Sequence, residues 1–192
     1  MHVVISEASA SWLYQHAAIS IAFEVESVLA LTIDSHGLGG FRLTEQRLDR
    51  PYVKDYDALP NCHPTQWAAR FDMANWVFFS AILEDTAVGG AVVAWGSPDF
   101  EMLEDPTHLG VVWDLRVAPT MRRRGIAAQL FAAVECWARD RGCGQLKVET
   151  QNVNVPACKF YASRGFELGA IHRFAYHEFP EEVQLLWYKS LR

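Results

Sequence analysis

The chain has 192 residues, 51% of them apolar, and a formal net charge of −6. That length allows one α/β domain with a sizeable core, and the composition excludes a disordered chain. The acidic balance argues against a nucleic-acid binder and for tolerance of cationic partners.

Residues 1–18 show no clear period around Trp12. From Ile19, apolar residues alternate through Ile21, Phe23 and Val25, and Val28 to Ile33 continues the pattern, which predicts a strand. Asp34 to Gly37 and Gly39-Gly40 form a turn, with Phe41 to Glu45 as a returning strand. Residues 49–64, DRPYVKDYDALPNCHP, read as a loop. Its Asp55, Tyr56 and Asp57 can present carboxylates to a cationic ligand, or form a solvated acidic surface. A short helix is expected from Pro64 to Phe71. Asn75 to Leu83 and Ala87 to Trp95 read as a hairpin, Gly89-Gly90 suggests a bulge, and residues 97–108 read as a polar loop.

The stretch Val111 to Gln129, VVWDLRVAPTMRRRGIAAQ, combines an apolar strand, a proline turn, a basic glycine loop and the start of a helix. Such a junction leaves backbone N–H groups without intrahelical partners at the positive end of a helix dipole, so it can hold an anion. It contains neither G-x-x-x-x-G-K-[ST] nor G-x-G-x-x-G. Arg123 to Arg141 carries helical spacing, with Ile126, Leu130, Val134 and Trp137 on one face and Gly142 at its end. Gln145 to Thr150 is a strand and Pro156 to Arg164 a helix stopped by Gly165. Phe166 to Tyr176 and Val183 to Tyr188 close the chain as strands. The alternation from 111 to 176 implies a parallel crossover with the anion loop at a strand's carboxyl end.

The four cysteines form no CxxC, and the seven histidines show no HExxH-like pairing, so no metal site is expected. No signal peptide and no apolar run of membrane-spanning length is visible, which points to a cytoplasmic protein.

Arg122, Gly125 and Ala127 spell R-x-x-G-x-A, which resembles the acyl-CoA loop of the GNAT N-acetyltransferases. Downstream, Asn154, Ala157, Phe160 and Tyr161, followed by Gly165-Phe166, are similar to the second signature of that superfamily. The resemblance implies one GNAT domain over 1–192, an α/β fold whose mixed sheet has about six to seven strands with helices on both faces. Glu149 to Gly169, Phe41 to Tyr56, Phe23 to Val28 and Leu186 to Tyr188 further resemble the streptothricin acetyltransferases. That group acetylates a primary amine on the β-lysine arm of a cationic antibiotic.

The resemblance therefore implies acetyl-CoA as acetyl donor and a small cationic amine as acceptor, with direct attack in a ternary complex. No Cys–His arrangement suggests an acyl-enzyme. Backbone amides of Arg122, Arg123, Arg124, Gly125, Ile126 and Ala127 would bind the pyrophosphate, and Arg122, Arg123 or Arg124 would screen phosphates. Leu115, Arg116 and Val117 would lie along the pantetheine through their backbone, with Ala157 also on the cofactor and Asn154 either bonded to the pantetheine or serving as a helix cap. Tyr161 would be the general acid, or else a core tyrosine. A lysine-like amine costs roughly 4–5 kcal/mol to hold neutral at pH 7, so a base is needed. Glu149 is the first candidate for the base, or else a charge that attracts the cationic substrate or a structural hydrogen-bond acceptor, and Asp114 is the second, or else a structural strand residue. Relatives often carry Glu at the position of Trp113, which is counted with the substrate residues. Neighbours on a strand face opposite ways, so Asp114 is not expected to replace it. A protein or peptide N-acetyltransferase and a non-catalytic acyl-CoA sensor are the alternatives. Nucleic acid and membrane are not expected partners, and a homodimer is allowed but not required.

Overall fold

A computed structural model of the chain describes residues 2–97, 100–105 and 107–192. In chain order its elements are β1 (Val4–Ala8), α1 (Leu13–Ala17), β2 (Phe23–Asp34), β3 (Gly40–Lys54), β4 (Val77–Leu83), β5 (Thr86–Ala94) and β6 (Leu109–Val117). Then come α2 (Ile126–Asp140), β7 (Gln145–Gln151), α3 (Val155–Ser163), β8 (Glu167–His172) and β9 (Gln184–Ser190). They group into two compact units, one of Met1–Ala22, Asp55–Val148 and Ser190–Arg192, the other of Phe23–Lys54 and Glu149–Lys189.

The first unit holds the strand order β1-β4-β5-β6-β7 and the second β7-β9-β8, so the mixed sheet counts seven strands. β4, β5 and β6 pair antiparallel, and β6 pairs parallel to β7 across α2, the crossover expected from the sequence. The mixed α/β sheet is the fold class expected. β5 shows why helices cover both faces in the first unit. A Cβ on Gly90 would collide with the Trp12 ring and come within 2.5 Å of His16, on the side of α1. A Cβ on Gly89 would meet Ile126 and Leu130 of α2 at 3.3 Å. Neighbouring residues face opposite ways, so two adjacent glycines let two helices approach the same strand. The register shift lies beside them, since Ala81 pairs with Gly89 and Ile82 with Ala87. Val88 is thus the unpaired residue.

Several boundaries differ from expectation. Residues 1–18, whose sequence shows no clear period, contain β1, a 3-10 turn and α1. The loop expected at 49–64 begins only after Lys54, because β3 continues to that residue. Pro51 does not end β3. It falls where pairing with β2 is interrupted, between Arg47 and Tyr52, a place where a missing N–H is tolerated. Pro64–Ala69 is a 3-10 helix. In the expected loop 97–108, Pro98, Asp99 and Pro106 lie outside the described residues, and Phe100 and Leu103 are buried apolar anchors. In the second unit Asn152 ties three segments. Its amide donates to Leu29 O at 3.2 Å, its Oδ1 accepts from Val183 N at 2.8 Å, and its carbonyl accepts from Leu29 N at 2.9 Å.

Candidate active site

The basic loop leads into α2 through two left-handed residues, Arg123 (φ 61°) and Gly125 (φ 81°). Gly125 is the N-cap and no side chain caps the helix. The first backbone N–H groups of α2 therefore have no intrahelical acceptor, and the dipole adds positive charge there. Nothing lies within 4 Å of a Cβ built on Gly125, so its glycine answers to the backbone angle alone. The three arginines divide their work. Arg123 and Arg124 are exposed. Arg122 turns inward, donating to Val117 O at 3.0 Å and Ser20 O at 3.2 Å, and burial pulls its pKa down. Its side chain braces the loop, whereas phosphate screening was expected of it. Ile126 is buried and fixes the helix start on the sheet.

β6 delivers the chain to this loop. Its pairing with β7 runs from Leu109–Gln145 to Val111–Lys147, so residues 112–117 extend past their last β7 partner. The same residues stay paired with β5 through Leu115–Ala91, Arg116–Gly90 and Val117–Gly89. Within this stretch Val93 pairs with Val112 and Val92 with Asp114, leaving Trp113 as the extra residue of a β-bulge. The bulge overturns the expectation that Trp113 and Asp114 face opposite ways. Trp113 packs on Phe100 (5.1 Å between centroids), Phe71 (5.3 Å), Trp76 (5.9 Å) and Trp67 (6.0 Å). Trp67 in turn lies 6.2 Å from His16, whose Nε2 is 2.8 Å from Asp114 Oδ1. Both residues therefore serve the α1 side of the sheet.

Asp114 is enclosed by donors. Arg116 reaches it through Nε at 2.9 Å and Nη2 at 2.6 Å, in addition to His16. Burial alone would raise its pKa, but the Arg116 guanidinium and His16 outweigh burial and hold the carboxyl well below the usual carboxylate range. A carboxylate so stabilised is a poor proton acceptor at neutral pH. Arg116 also donates to Asp57, from Nη1 at 2.8 Å and Nη2 at 3.2 Å, and to Ile19 O at 3.0 Å. Burial disfavours its charge, yet Asp114 and Asp57 push its pKa above the ordinary value. Asp57, expected to meet a cationic ligand, already meets this buried cation. Asp55 accepts the backbone N–H of Asp57 at 3.1 Å, and the Tyr56 carbonyl accepts that of Leu59 at 3.1 Å, so both shape the turn.

In the second unit Glu149 lies near the end of β7 with both carboxylate oxygens engaged. Oε1 accepts from the Tyr176 hydroxyl at 2.5 Å and from Gln151 Nε2 at 3.2 Å, and Oε2 accepts from Gln184 Nε2 at 2.8 Å. Gln151 also donates to the Tyr176 oxygen at 2.8 Å. Asn154 caps α3, its Oδ1 accepting from Ala157 N at 3.2 Å. Tyr161 is buried between Phe160 and Phe166, with ring centroids 5.2 and 5.3 Å away.

Sequence reasoning missed His16, Gln151, Tyr176 and Gln184. Gln151 could have been found, because it stands two residues from Glu149 on one strand and shares its face. Among the described residues no group of three or more His, Cys, Asp or Glu side chains could hold a metal ion. No helix among them is long and apolar enough to cross a membrane.

A strand running past its partner into an uncapped, glycine-turned, arginine-bearing helix start is the form of an acyl-CoA-binding α/β protein. The sequence profile of the Acetyltransferase (GNAT) family matches residues 43–166, and the chain belongs to that family. It is an acyltransferase fold that uses acetyl-CoA as acetyl donor. The chain is 26% identical to streptothricin acetyltransferase A of Bacillus subtilis (strain 168) over 152 residues, 78% of this chain and 80% of the relative. It is 27% identical to the streptothricin acetyltransferase of Streptomyces lavendulae over 79% of this chain and 76% of the relative. Among solved structures, a nourseothricin acetyltransferase superposes with a TM-score of 0.78 at 24% identity, over 100% of both chains. A Bacillus anthracis str. Ames protein assigned as a streptothricin acetyltransferase, solved with acetyl coenzyme A, gives 0.74 at 24% identity over 99% of both.

Proposed function

We propose that this protein transfers the acetyl group of acetyl-CoA to a primary amine of a small cationic substrate, a streptothricin-like antibiotic or a related amine, in a ternary complex. The observation that carries this reading is Glu149, a carboxylate framed by three side-chain donors on the segment that most resembles the streptothricin acetyltransferases. The relatives named above, matched over about three-quarters of the chain, point to the same acceptor class.

When bound, acetyl-CoA supplies an activated acetyl thioester. The backbone N–H groups of Arg123 to Ala127 would hold its pyrophosphate, that of Arg122 already donating to Pro119 O, and Arg123 and Arg124 would screen the phosphates. The backbone of Leu115 to Val117 orients the pantetheine. Glu149 takes the ammonium proton, directly or through water, so that the amine reacts as a neutral nucleophile. Tyr161 holds a proton at its hydroxyl for the departing sulfur. Asp114, tied to Arg116 and His16, braces the strand and does not take the proton. Trp113 has a packing reason for its place, which leaves the search for a base with Glu149.

The test is purified protein with acetyl-CoA and a panel of streptothricins, polyamines and aminoglycosides, following free CoA thiol. Turnover of a streptothricin or polyamine is the expected result. Thiol release with peptides alone, or with no amine at all, would overturn the substrate assignment.

A further inference from the structure

The donors around Glu149 can be counted. A carboxylate offers about four acceptor sites, two on each oxygen. Tyr176 and Gln151 fill both on Oε1, and Gln184 fills one on Oε2. Among the described residues one acceptor site remains unfilled, on Oε2. The frame is also cross-braced, because the amide of Gln151 bridges the Tyr176 oxygen and Glu149 Oε1. Gln151 and Gln184 sit on β7 and β9, while Tyr176 lies in the connection between β8 and β9.

From this count we infer that Tyr176, Gln151 and Gln184 are positioning residues that make Glu149 a single-point acceptor, selecting an ammonium donor and rejecting a guanidinium. The inference rests on Glu149 meeting the acceptor amine, as proposed above. An alkylammonium directs one N–H at a carboxylate and leaves its other donors to water or neighbours. A guanidinium gains its advantage from two parallel N–H groups meeting both carboxylate oxygens. With Oε1 saturated, that fork cannot close. A guanidinium entering here would leave one donor unpaired, and an unmet donor in a partly desolvated site is costly. The acceptor class narrows to lysine-like primary amines, and arginine-like groups of the same length and charge are excluded.

The probes are 1,5-diaminopentane as acetyl acceptor and 1,5-diguanidinopentane as competitor. In the unaltered protein the Ki of the diguanidine is expected to exceed the KM of the diamine by about tenfold, the effect of one charge-assisted hydrogen bond. Tyr176→Phe removes the donor on Oε1 and opens an acceptor site there. It should lower the Ki of the diguanidine by about tenfold relative to the KM of the diamine, with the Kd for acetyl-CoA unchanged. Gln151→Met also frees a site on Oε1 and should relax the same ratio, so the idea does not depend on one variant folding, whereas Gln184→Met opens only Oε2 and should leave the ratio as it is. A merely structural role of Tyr176 and Gln151 would move both constants together and leave the ratio fixed in their variants, which would overturn the inference. Equal affinity of the unaltered protein for the two probes would overturn it as well. If the unaltered protein acetylates no amine, the proposed function fails first. Calorimetric binding of the two probes then still reads the selectivity of the Glu149 frame.

Discussion

Replacing Asp114 by Asn separates a bracing carboxylate from a general base. The carboxylate accepts from Arg116 at 2.9 and 2.6 Å and from His16 at 2.8 Å, all in buried surroundings. Asn keeps one acceptor oxygen and sets an NH2 group where Arg116 or His16 donates. Breaking a buried ion pair from one side costs about 3–5 kcal/mol. Arg116 retains Asp57 at 2.8 and 3.2 Å, which favours about 3 kcal/mol. In a chain of this size each kcal/mol shifts Tm by about 2–4 °C, so a fall of roughly 6–12 °C is expected. The pH dependence has a definite sign. Asp114 has a lowered folded pKa, so its stabilisation is fully present above the unfolded value of about 3.9 and is lost as pH falls below it. The unfolding free energies of the two proteins should therefore differ at pH 7, begin to draw together only below about pH 4, and continue to do so as pH falls towards the much lower folded value. Urea titrations followed by tryptophan fluorescence at both pH values measure this. Acetyl transfer per folded molecule at pH 7 should stay within about threefold. An unchanged Tm with kcat down by the roughly 10²–10⁴ of a lost general base would refute the reasoning.

Arg123→Ala with Arg124→Ala should raise KM for acetyl-CoA by about five- to tenfold at low salt and less at high salt, as exposed charges are screened. Arg122→Ala, by contrast, should show mainly as lost thermal stability. Gly90→Ala drives a methyl into Trp12 and His16 and should cost about 1–3 kcal/mol in denaturant unfolding, whereas an unaltered midpoint would contradict the packing described. Asn154→Ala removes the α3 cap and should cost about 1 kcal/mol, a drop of about 2–4 °C in a thermal scan. Iodoacetamide should modify exposed Cys136 well before Cys158, whose thiol burial pushes up in pKa. Mass spectrometry of partly alkylated protein reads the order.

The parts of the fold legible in the sequence are those where one local rule governs. The β6–α2–β7 crossover was visible because an apolar run, a glycine turn and a 3.6-residue period follow one another. The anion loop was visible for the same reason. β3 reads shorter in the sequence than it is, because Pro51 and the charged residues around it look like punctuation. In the structure the proline only interrupts pairing in a two-stranded ribbon. The site was half legible. Glu149 stood out on its strand, but its frame includes Tyr176, 27 residues away on an irregular connection with no periodicity to announce it. The Asp57–Arg116–Asp114–His16 chain was hidden more deeply. Its hydrogen-bonded partners lie up to 98 residues apart, and each alone reads as an ordinary surface charge or core histidine. Only their meeting in a buried place gives them a role.

The extra residue in β6 divides one layer of the molecule into two chemical regimes. Leu109 and Val111, at odd positions, belong to the apolar cluster on the α1 side, and so does the flank of Trp113. Beyond the bulge the same side is served by Asp114 and Arg116, at even positions, and is ionic. Tolerance to substitution should switch its rule at that point. Upstream, a charge at an odd position has no partner to meet. Downstream, an apolar residue at an even position strands His16 and Asp57. A shift of one residue in comparing this strand with another would keep its length and exchange its oily and charged faces. Strands of this kind are best matched outward from Trp113 in each direction, not read straight through.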